Sequence, residues 1–194
     1  MSQPISQTLH GDAPLSAAKN PDPTALNGDD LAPQKGDVLV GRSVTIDRAR
    51  GDLYAFWRDF KNLPMFMSNV QRVEVIDALR SHWVIAAPAG KTVEWDSVIV
   101  DDQPQSLIAW ASAEDAGIRN SGKVEFKDSP DNRGTVVTVT LVYDPPAGAV
   151  GKMIAKLFQK EPKVQARQDL RRFKQLMETG EVATAQPPDA APRA

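Results

Sequence analysis

The segment from Val70 to Tyr143 constrains the fold most, because it contains strand-forming sequences in close succession. Six stretches are rich in β-branched and aromatic residues: VQRVEVID, SHWVIAAP, TVEWDSVIVDD, SLIAWASA, KVEFKDS and TVVTVTLVYD. Turn sequences such as DALRS, DDQPQ and SPDNRG separate them. Connections this short join antiparallel neighbours. With a further strand at 41–47 (GRSVTID), the sequence predicts a seven-stranded antiparallel sheet.

Alternation within these strands predicts one apolar and one solvated face. In the last strand Val137, Val139 and Leu141 point to one side, and Thr138 and Thr140 point to the other. Such a sheet needs a second layer to cover its apolar face.

The hydrophobic period changes to that of a helix on either side of the strands. One helical face, with the spacing i, i+3, i+4 and i+7, consists of Leu53, Phe56, Trp57 and Phe60. The segment 62–70 repeats this spacing and predicts a second short helix. Apolar residues at helical spacing return over 148–179 and predict a long C-terminal helix. Pro162 should kink or restart that helix, and Gly180 should end it.

Two small helices cannot cover a seven-stranded sheet, so the long helix must lie across its concave side. The predicted fold is therefore α+β: a curved antiparallel seven-stranded sheet wrapped around a long C-terminal helix, with two short helices after the first strand. The ordered domain is predicted at 38–179. Residues 1–37 and 180–194 are rich in Pro and polar residues and lack apolar periodicity, which predicts disordered tails.

Several sequence motifs resemble one superfamily. The run WRDFKNLPMFM at 57–67, EWD at 94–96, IAW at 108–110 and the ending DLRRFKQLME resemble the polyketide cyclase/dehydrase and coenzyme Q-binding branch of the START-like (SRPBCC, helix-grip) superfamily. The resemblance covers about residues 40–179. It implies a sheet that grips the long helix around a hydrophobic tunnel, with residues 63–70 at the tunnel wall and entrance. Lipid carriers, quinone-binding proteins, cyclases and hydrolases share this scaffold, so the resemblance indicates fold more than chemistry.

A curved sheet closed by a helix encloses a volume that the side chains of a small domain do not easily fill. Ligand cavities of this kind measure roughly 300–1,000 Å³. The candidate lining residues are Trp57, Leu63, Phe66, Met67, Trp83, Trp95, Ser97, Trp110, Phe126, Tyr143, Met153, Leu157 and Phe158. An individual aromatic residue at this spacing usually packs in a core, so the argument for a cavity is collective. The candidate polar anchors for a ligand are His82, Ser97 and Tyr143.

Signals for catalysis or metal binding are sparse. The chain has no Cys, and His82 is the single His in the predicted domain, so a triad or a metal site lacks its usual residues. No glycine-rich phosphate-binding loop is present. Glu94 and Asp96 share one side of a strand, but Trp95 takes the core side, so both acids should lie on the solvated face. We expect no metal and no cofactor.

The predicted C-terminal helix is basic, although the chain has a net charge of −2. Residues 148–180 contain eight Lys or Arg and three Asp or Glu residues. A charge run on a helix usually forms a solvated face. The sharper hypothesis is weak contact with an anionic membrane surface, worth on the order of 1 kcal/mol per basic residue, through Lys152, Lys156, Lys160 and Lys163. The sequence shows neither a secretory signal nor an apolar membrane span, which favours a cytoplasmic location, peripheral to a membrane if that contact forms.

The functional prediction is a carrier or chaperone that binds a lipophilic small molecule, such as a quinone, isoprenoid, lipid or polyketide-like compound, between the sheet and the C-terminal helix. One alternative is a cyclase or dehydratase that uses the same cavity. It would be favoured if Glu94, Asp96 or His82 lined the cavity. A second alternative is a protein-interaction module with a packed interior. Nucleic-acid binding is disfavoured, because no recognised motif accompanies the basic residues.

Overall fold

β-Strands dominate the computed structural model, which describes residues 38–113, 116, 118–130, 132–143 and 162–182. A short 3₁₀ turn at Pro88–Gly90 joins the third and fourth strands. The principal elements, in chain order, are β1 (Val38–Ile46), α1 (Arg50–Arg58), a 3₁₀ helix (Phe60–Met65), β2 (Val70–Val75), β3 (Arg80–Ala87), β4 (Lys91–Gln103), β5 (Leu107–Ser112), β6 (Asn120–Asp128), β7 (Thr135–Tyr143) and α2 (Pro162–Thr179).

All seven strands form one sheet in the order β1-β7-β6-β5-β4-β3-β2. Every neighbouring pair is antiparallel. Strands β2 to β7 make a meander, and β1 adds to its far edge beside β7. The register shifts between Val70 and Arg72 and between Ile99 and Asp101 mark bulges, which bend a sheet locally. The predicted seven-stranded antiparallel sheet and its helix-grip arrangement are confirmed.

Helix α1 packs its buried residues Leu53 and Trp57 into the space beneath the sheet. Polar contacts also hold this helix to the sheet, because Tyr54 and Arg58 both donate hydrogen bonds to the carboxylate of Asp102 in β4. These contacts fix the helix at the end of the sheet where the β4–β5 turn lies.

The second short helix is shorter than the apolar spacing over 62–70 predicts. It is a 3₁₀ helix that ends at Met65, with the Phe66 N–H donating to the Leu63 carbonyl at 3.1 Å. Val70 already belongs to β2, where it pairs with Ile85 of β3. Strand pairing therefore overrides the helical spacing at the end of this segment.

Helix α2 begins at Pro162, where the sequence predicted a restart. It ends before Gly180, whose φ of 80° suits glycine and whose N–H donates to the Leu176 carbonyl at 2.8 Å. Beyond it, Val182 packs against the main core. The predicted helical residues at 148–161, the predicted tail at 1–37 and all but 180–182 of the predicted tail at 180–194 lie outside the described residues.

Aromatic side chains from separate elements fill much of the space between the sheet and α2. Phe173 of α2 lies 5.0 Å from Trp57 and 4.7 Å from Phe66, measured between ring centroids, and Trp57 lies 6.4 Å from Phe126. Such tilted and edge-on contacts add to the stabilisation from burial. These described rings pack closely against one another at this end of the interior.

The outer face of the sheet is not uniformly solvated, contrary to the alternation argument. Ala109 belongs to a second buried cluster there, and Lys123 and Thr140 are also buried. A buried ammonium group loses its hydration, and a nearby negative charge or hydrogen-bond acceptor must compensate for this loss. The Nζ atom of Lys123 lies 3.2 Å from a carboxylate oxygen of Glu125.

Candidate ligand-binding site

A cavity of about 140 Å³ lies between the sheet and α2. It is smaller than the predicted range, and the aromatic rings around Phe173 fill a neighbouring part of the interior. An apolar cavity of roughly 150 Å³ still suffices to bind benzene. The described lining residues are Val40, Trp57, Phe60, Leu63, Met67, Asn69, Val70, Trp83, Ile85, Trp95, Trp110, Asn120, Val139, Leu141, Val142, Gln165, Ala166, Asp169 and Leu170.

All four tryptophans of the chain line this cavity. Trp83 and Trp95 are directly paired across β3 and β4, and their rings stack with centroids 6.3 Å apart and planes 8° apart. The indole N–H of Trp83 donates to the Ser81 hydroxyl at 2.9 Å, which satisfies its polar atom within the core. Trp110 lies over Gly122, where a Cβ would approach the indole to 2.7 Å, so this position requires glycine.

The structure brings some of the proposed lining residues together and separates others. Trp57, Leu63, Met67, Trp83, Trp95 and Trp110 are at the cavity wall. Phe66 and Phe126 are instead buried in the aromatic packing behind it. Ser97 is also buried, and its hydroxyl donates to the Ala111 carbonyl at 3.1 Å, so a strand neighbour satisfies the group that was expected to anchor a ligand.

His82 lies on the outer face of the sheet, and its proposed role as a ligand anchor is therefore wrong. Its Nδ1 atom is 2.7 Å from Asp96, and its Nε2 atom is 3.4 Å from Glu94. The hydrogen bond with Asp96 is the main cause of a raised His82 pKa, with a smaller contribution from Glu94. The predicted outward position of both acids is confirmed.

Several proposed residues lie outside the part of the chain whose side chains the structure describes. They are Tyr143, Met153, Leu157 and Phe158 of the cavity set and Lys152, Lys156, Lys160 and Lys163 of the membrane set. The backbone of Tyr143 belongs to β7, where it pairs with Val38 and Asn120.

The described polar residues at the cavity were not predicted from the sequence; they are Asn69, Asn120, Gln165 and Asp169. The carboxylate of Asp169 accepts hydrogen bonds from the Ser68 N–H at 3.3 Å and from the Gln165 amide at 2.9 and 3.0 Å. The same amide also lies 2.8 Å from the Ser68 hydroxyl. These three residues, here called the α2 polar cluster, join α2 to the loop that follows the 3₁₀ helix.

Burial raises the pKa of Asp169 to about 6, although the hydrogen bonds from Gln165 and Ser68 and the charge of Arg172 act to lower it. A signal for this residue exists in the sequence. Asp169 lies three residues after Ala166 and one before Leu170, so it interrupts the apolar face of the helix. An acid at such a position is either partnered or functional.

Within the described residues, no group of three or more His, Cys, Asp or Glu side chains is arranged to hold a metal ion. None of the described helices is both long and apolar enough to span a membrane.

A family model described as polyketide cyclase / dehydrase and lipid transport matches residues 46–171. The chain belongs to this family. A curated relative from Streptomyces lincolnensis, described as an uncharacterized 17.2 kDa protein, is 32% identical over 130 residues, which are 64% of this chain and 79% of the relative. The predicted membership in the START-like polyketide cyclase/dehydrase branch is thus confirmed.

Solved structures agree with this assignment. A structural-genomics protein from Deinococcus radiodurans is 40% identical, with a TM-score of 0.61 over 74% of this chain and 98% of that chain. A Thermus thermophilus protein is 25% identical, with a TM-score of 0.54 over 72% and 94% of the two chains. A Streptomyces aromatase/cyclase, 14% identical with a TM-score of 0.55 over 76% and 99%, shares the fold. Together with the family match, these structures support the assigned fold.

Proposed function

We propose that the protein binds a lipophilic small molecule in the cavity between the sheet and α2 and acts as its carrier or chaperone. The observation that carries this proposal is the cavity itself, with four tryptophans and a continuous set of aliphatic side chains on its wall. The ligand class is a quinone, isoprenoid, lipid or polyketide-like compound. Apolar burial supplies affinity at about 25 cal/mol per Å², and the few polar groups at the wall orient the ligand.

The size of the cavity limits how much of such a molecule it encloses. About 140 Å³ holds one ring or a short chain end. Met67 and Asn69, in the loop after the 3₁₀ helix, lie at the wall close to α2, and Met adapts readily to different guests. This supports binding of a ring-sized part of the ligand beneath that loop.

Native mass spectrometry of the full-length protein, followed by solvent extraction, tests the proposal. Ala166 lies at the cavity wall on α2, and Gln168 lies exposed on the same helix. The Ala166→Met substitution fills the cavity without deleting a core side chain, whereas Gln168→Met adds the same group to solvent. We expect a copurifying hydrophobe with the parent protein and with Gln168→Met, and its loss with Ala166→Met.

Two results would contradict the proposal. One is a parent protein that carries no hydrophobe and, when stripped of any ligand, binds no small aromatic probe by calorimetry. The other is equal ligand retention by Ala166→Met and Gln168→Met, since binding would then occur elsewhere.

A cyclase or dehydratase is the second candidate function, and Asp169 is the specific observation that favours it. A carboxyl group with a pKa of about 6 can exchange protons near neutral pH. In a dehydration, Asp169 would take a proton from the carbon beside a carbonyl and return it to the leaving hydroxyl, so that a C=C bond forms and water departs. Conversion of a β-hydroxyketone probe by the parent protein, lost in Asp169→Asn with probe binding retained, would support this function. Binding without conversion would leave the carrier function.

The remaining proposals concern partners. A protein-interaction module with a packed interior is less well supported than a carrier, because the described interior contains a cavity. Weak contact with an anionic membrane through Lys152, Lys156, Lys160 and Lys163 stays a proposal; the nearby Arg167 and Arg171 of α2 are exposed, which supports it. Failure to sediment with anionic vesicles at low salt would exclude it.

A further inference from the structure

Asp169 is the only ionisable side chain among the described residues that line the cavity. It faces a wall that is otherwise aromatic, aliphatic or neutral amide. The amides of Asn69 and Asn120 can both donate and accept hydrogen bonds, so they do not favour one polar ligand group over another. Among the described lining residues, Asp169 is therefore the one that can strongly prefer one ligand head group over another.

The hydrogen bonds of Asp169 leave it able to accept one more donor. An ionised carboxylate has about four acceptor positions on its two oxygens. Within the described residues, Oδ1 accepts from Ser68 and Gln165, and Oδ2 accepts only from Gln165, at 3.0 Å. A hydroxyl on the ligand can therefore hydrogen-bond to Oδ2 while the α2 polar cluster stays intact.

The same carboxylate disfavours an anionic ligand. Two carboxylates close together in a partly desolvated site repel each other. Arg172 provides a positive charge near Asp169, but burial outweighs its effect on the proton affinity of the carboxyl group. Among its described lining residues, the site thus has an acceptor for a neutral donor group and no cation to pair with an acid.

We propose that the cavity selects neutral ligands in which a ring or chain end carries a hydroxyl group, that Asp169 accepts the hydrogen bond of this hydroxyl, and that carboxylic acids of similar size are excluded. This inference rests on the proposed binding function and narrows its ligand class. A phenol or a hydroquinone fits the requirement, whereas a fatty acid or an aryl carboxylate does not.

Calorimetry with three small probes tests the selectivity. p-Cresol and p-xylene have nearly the same shape and differ by a hydroxyl in place of a methyl group; benzoate adds the negative charge. We expect the full-length protein to bind p-cresol about tenfold more tightly than p-xylene, from one charge-assisted hydrogen bond, and benzoate more weakly than either. In Asp169→Asn the preference for p-cresol should fall to about twofold, and benzoate should bind more tightly than to the parent.

Two further variants control this comparison. Asp128→Asn makes the same charge change at the far end of β6, roughly 26 Å along the strand from Asn120, and should leave all three affinities unchanged. Ala166→Met should abolish binding of every probe if the cavity is their site. Because all four tryptophans line the cavity, the emission of each variant also reports whether the site is intact.

Each outcome supports or overturns the inference. Equal affinity for p-cresol and p-xylene, or a preference that persists in Asp169→Asn, would overturn the selectivity while the binding function stands. Binding of none of the probes would overturn both. Tighter binding of benzoate than of p-cresol to the parent would show that the ligand class is acidic.

Discussion

The two walls of the cavity are built by different means. On the sheet wall, Trp83, Trp95 and Trp110 are fixed by strand pairing, and their positions follow from backbone register. On the helix wall, Gln165 and Asp169 are held by side-chain hydrogen bonds to each other and to Ser68. One wall is set by the backbone of the sheet, and the other by a few polar contacts between a helix and a loop.

This difference separates affinity from selectivity. The sheet wall provides apolar surface, whose contribution depends little on pH or salt. The helix wall carries the charged group, whose contribution depends on protonation and on exact placement. Substitutions in the first wall should therefore change stability and overall affinity, and substitutions in the second should change the kind of ligand bound.

The largest expected change in the free energy of unfolding comes from a substitution on the sheet wall. Trp110→Ala removes a buried indole that packs over Gly122, and should lower the free energy of unfolding by about 3–5 kcal/mol. Urea denaturation measures this change. Trp95→Ala is the matched control, because Trp95 is only half-buried and should cost less. An equal or smaller loss for Trp110→Ala would show that the two positions are not distinguished by burial.

On the helix wall, substitution of Asp169 should change the free energy of unfolding by a smaller amount and in the opposite direction. Because burial raises the Asp169 pKa from 3.8 to about 6, the folded state binds this proton more tightly than the unfolded state. The stability of the parent should therefore fall as the pH rises between these two pKa values. Above them, the full cost of burying the ionised carboxylate is present. Asp169→Asn should stabilise the protein by about 1–2 kcal/mol near pH 8, since partial exposure reduces the full effect.

Denaturation at about pH 4 and about pH 8 measures this difference. The gain from Asp169→Asn should disappear at the lower pH, where the carboxyl group of the parent is largely protonated. A variant that is less stable than the parent at the higher pH would show that the hydrogen bonds to Ser68 and Gln165 outweigh the cost of burying the charge.

The sheet and most of its cavity wall could be predicted from the sequence, because alternation is a local property. Once Trp83 and Trp95 were assigned to the inside, their strand neighbours had to point outward, and Glu94 and Asp96 do. The same rule places His82 outside, next to Trp83, and contradicts its assignment as a ligand anchor. The assignment considered the hydrogen-bonding capacity of the imidazole and disregarded the position of His82 in the strand.

The size of the cavity and the helix wall could not be predicted in the same way. The free volume depends on how Trp57, Phe66, Phe126 and Phe173, from four separate parts of the chain, pack against one another. No local pattern encodes that contact. The partners of Asp169 are likewise distant, since Ser68 lies 101 residues away in the chain. The sequence marks Asp169 as unusual but does not identify what it faces.

The smallest effect is expected on the outer face, which tests whether function is confined to the two walls. Asp96→Asn should lower the pKa of His82, because its hydrogen bond is the main cause of the upward shift. The pair stabilises the fold while His82 is protonated, and this contribution is lost as the pH rises through the pKa of His82 in the folded protein. Its loss should cost under about 1 kcal/mol, as for other solvent-accessible ion pairs.

NMR titration of the imidazole measures the pKa of His82, and Glu94→Gln, at the longer contact, should shift this pKa less. p-Cresol affinity should stay unchanged in both variants, because the side chains point away from the cavity; a change as large as that in Asp169→Asn would mean that the sheet transmits charge effects between its faces.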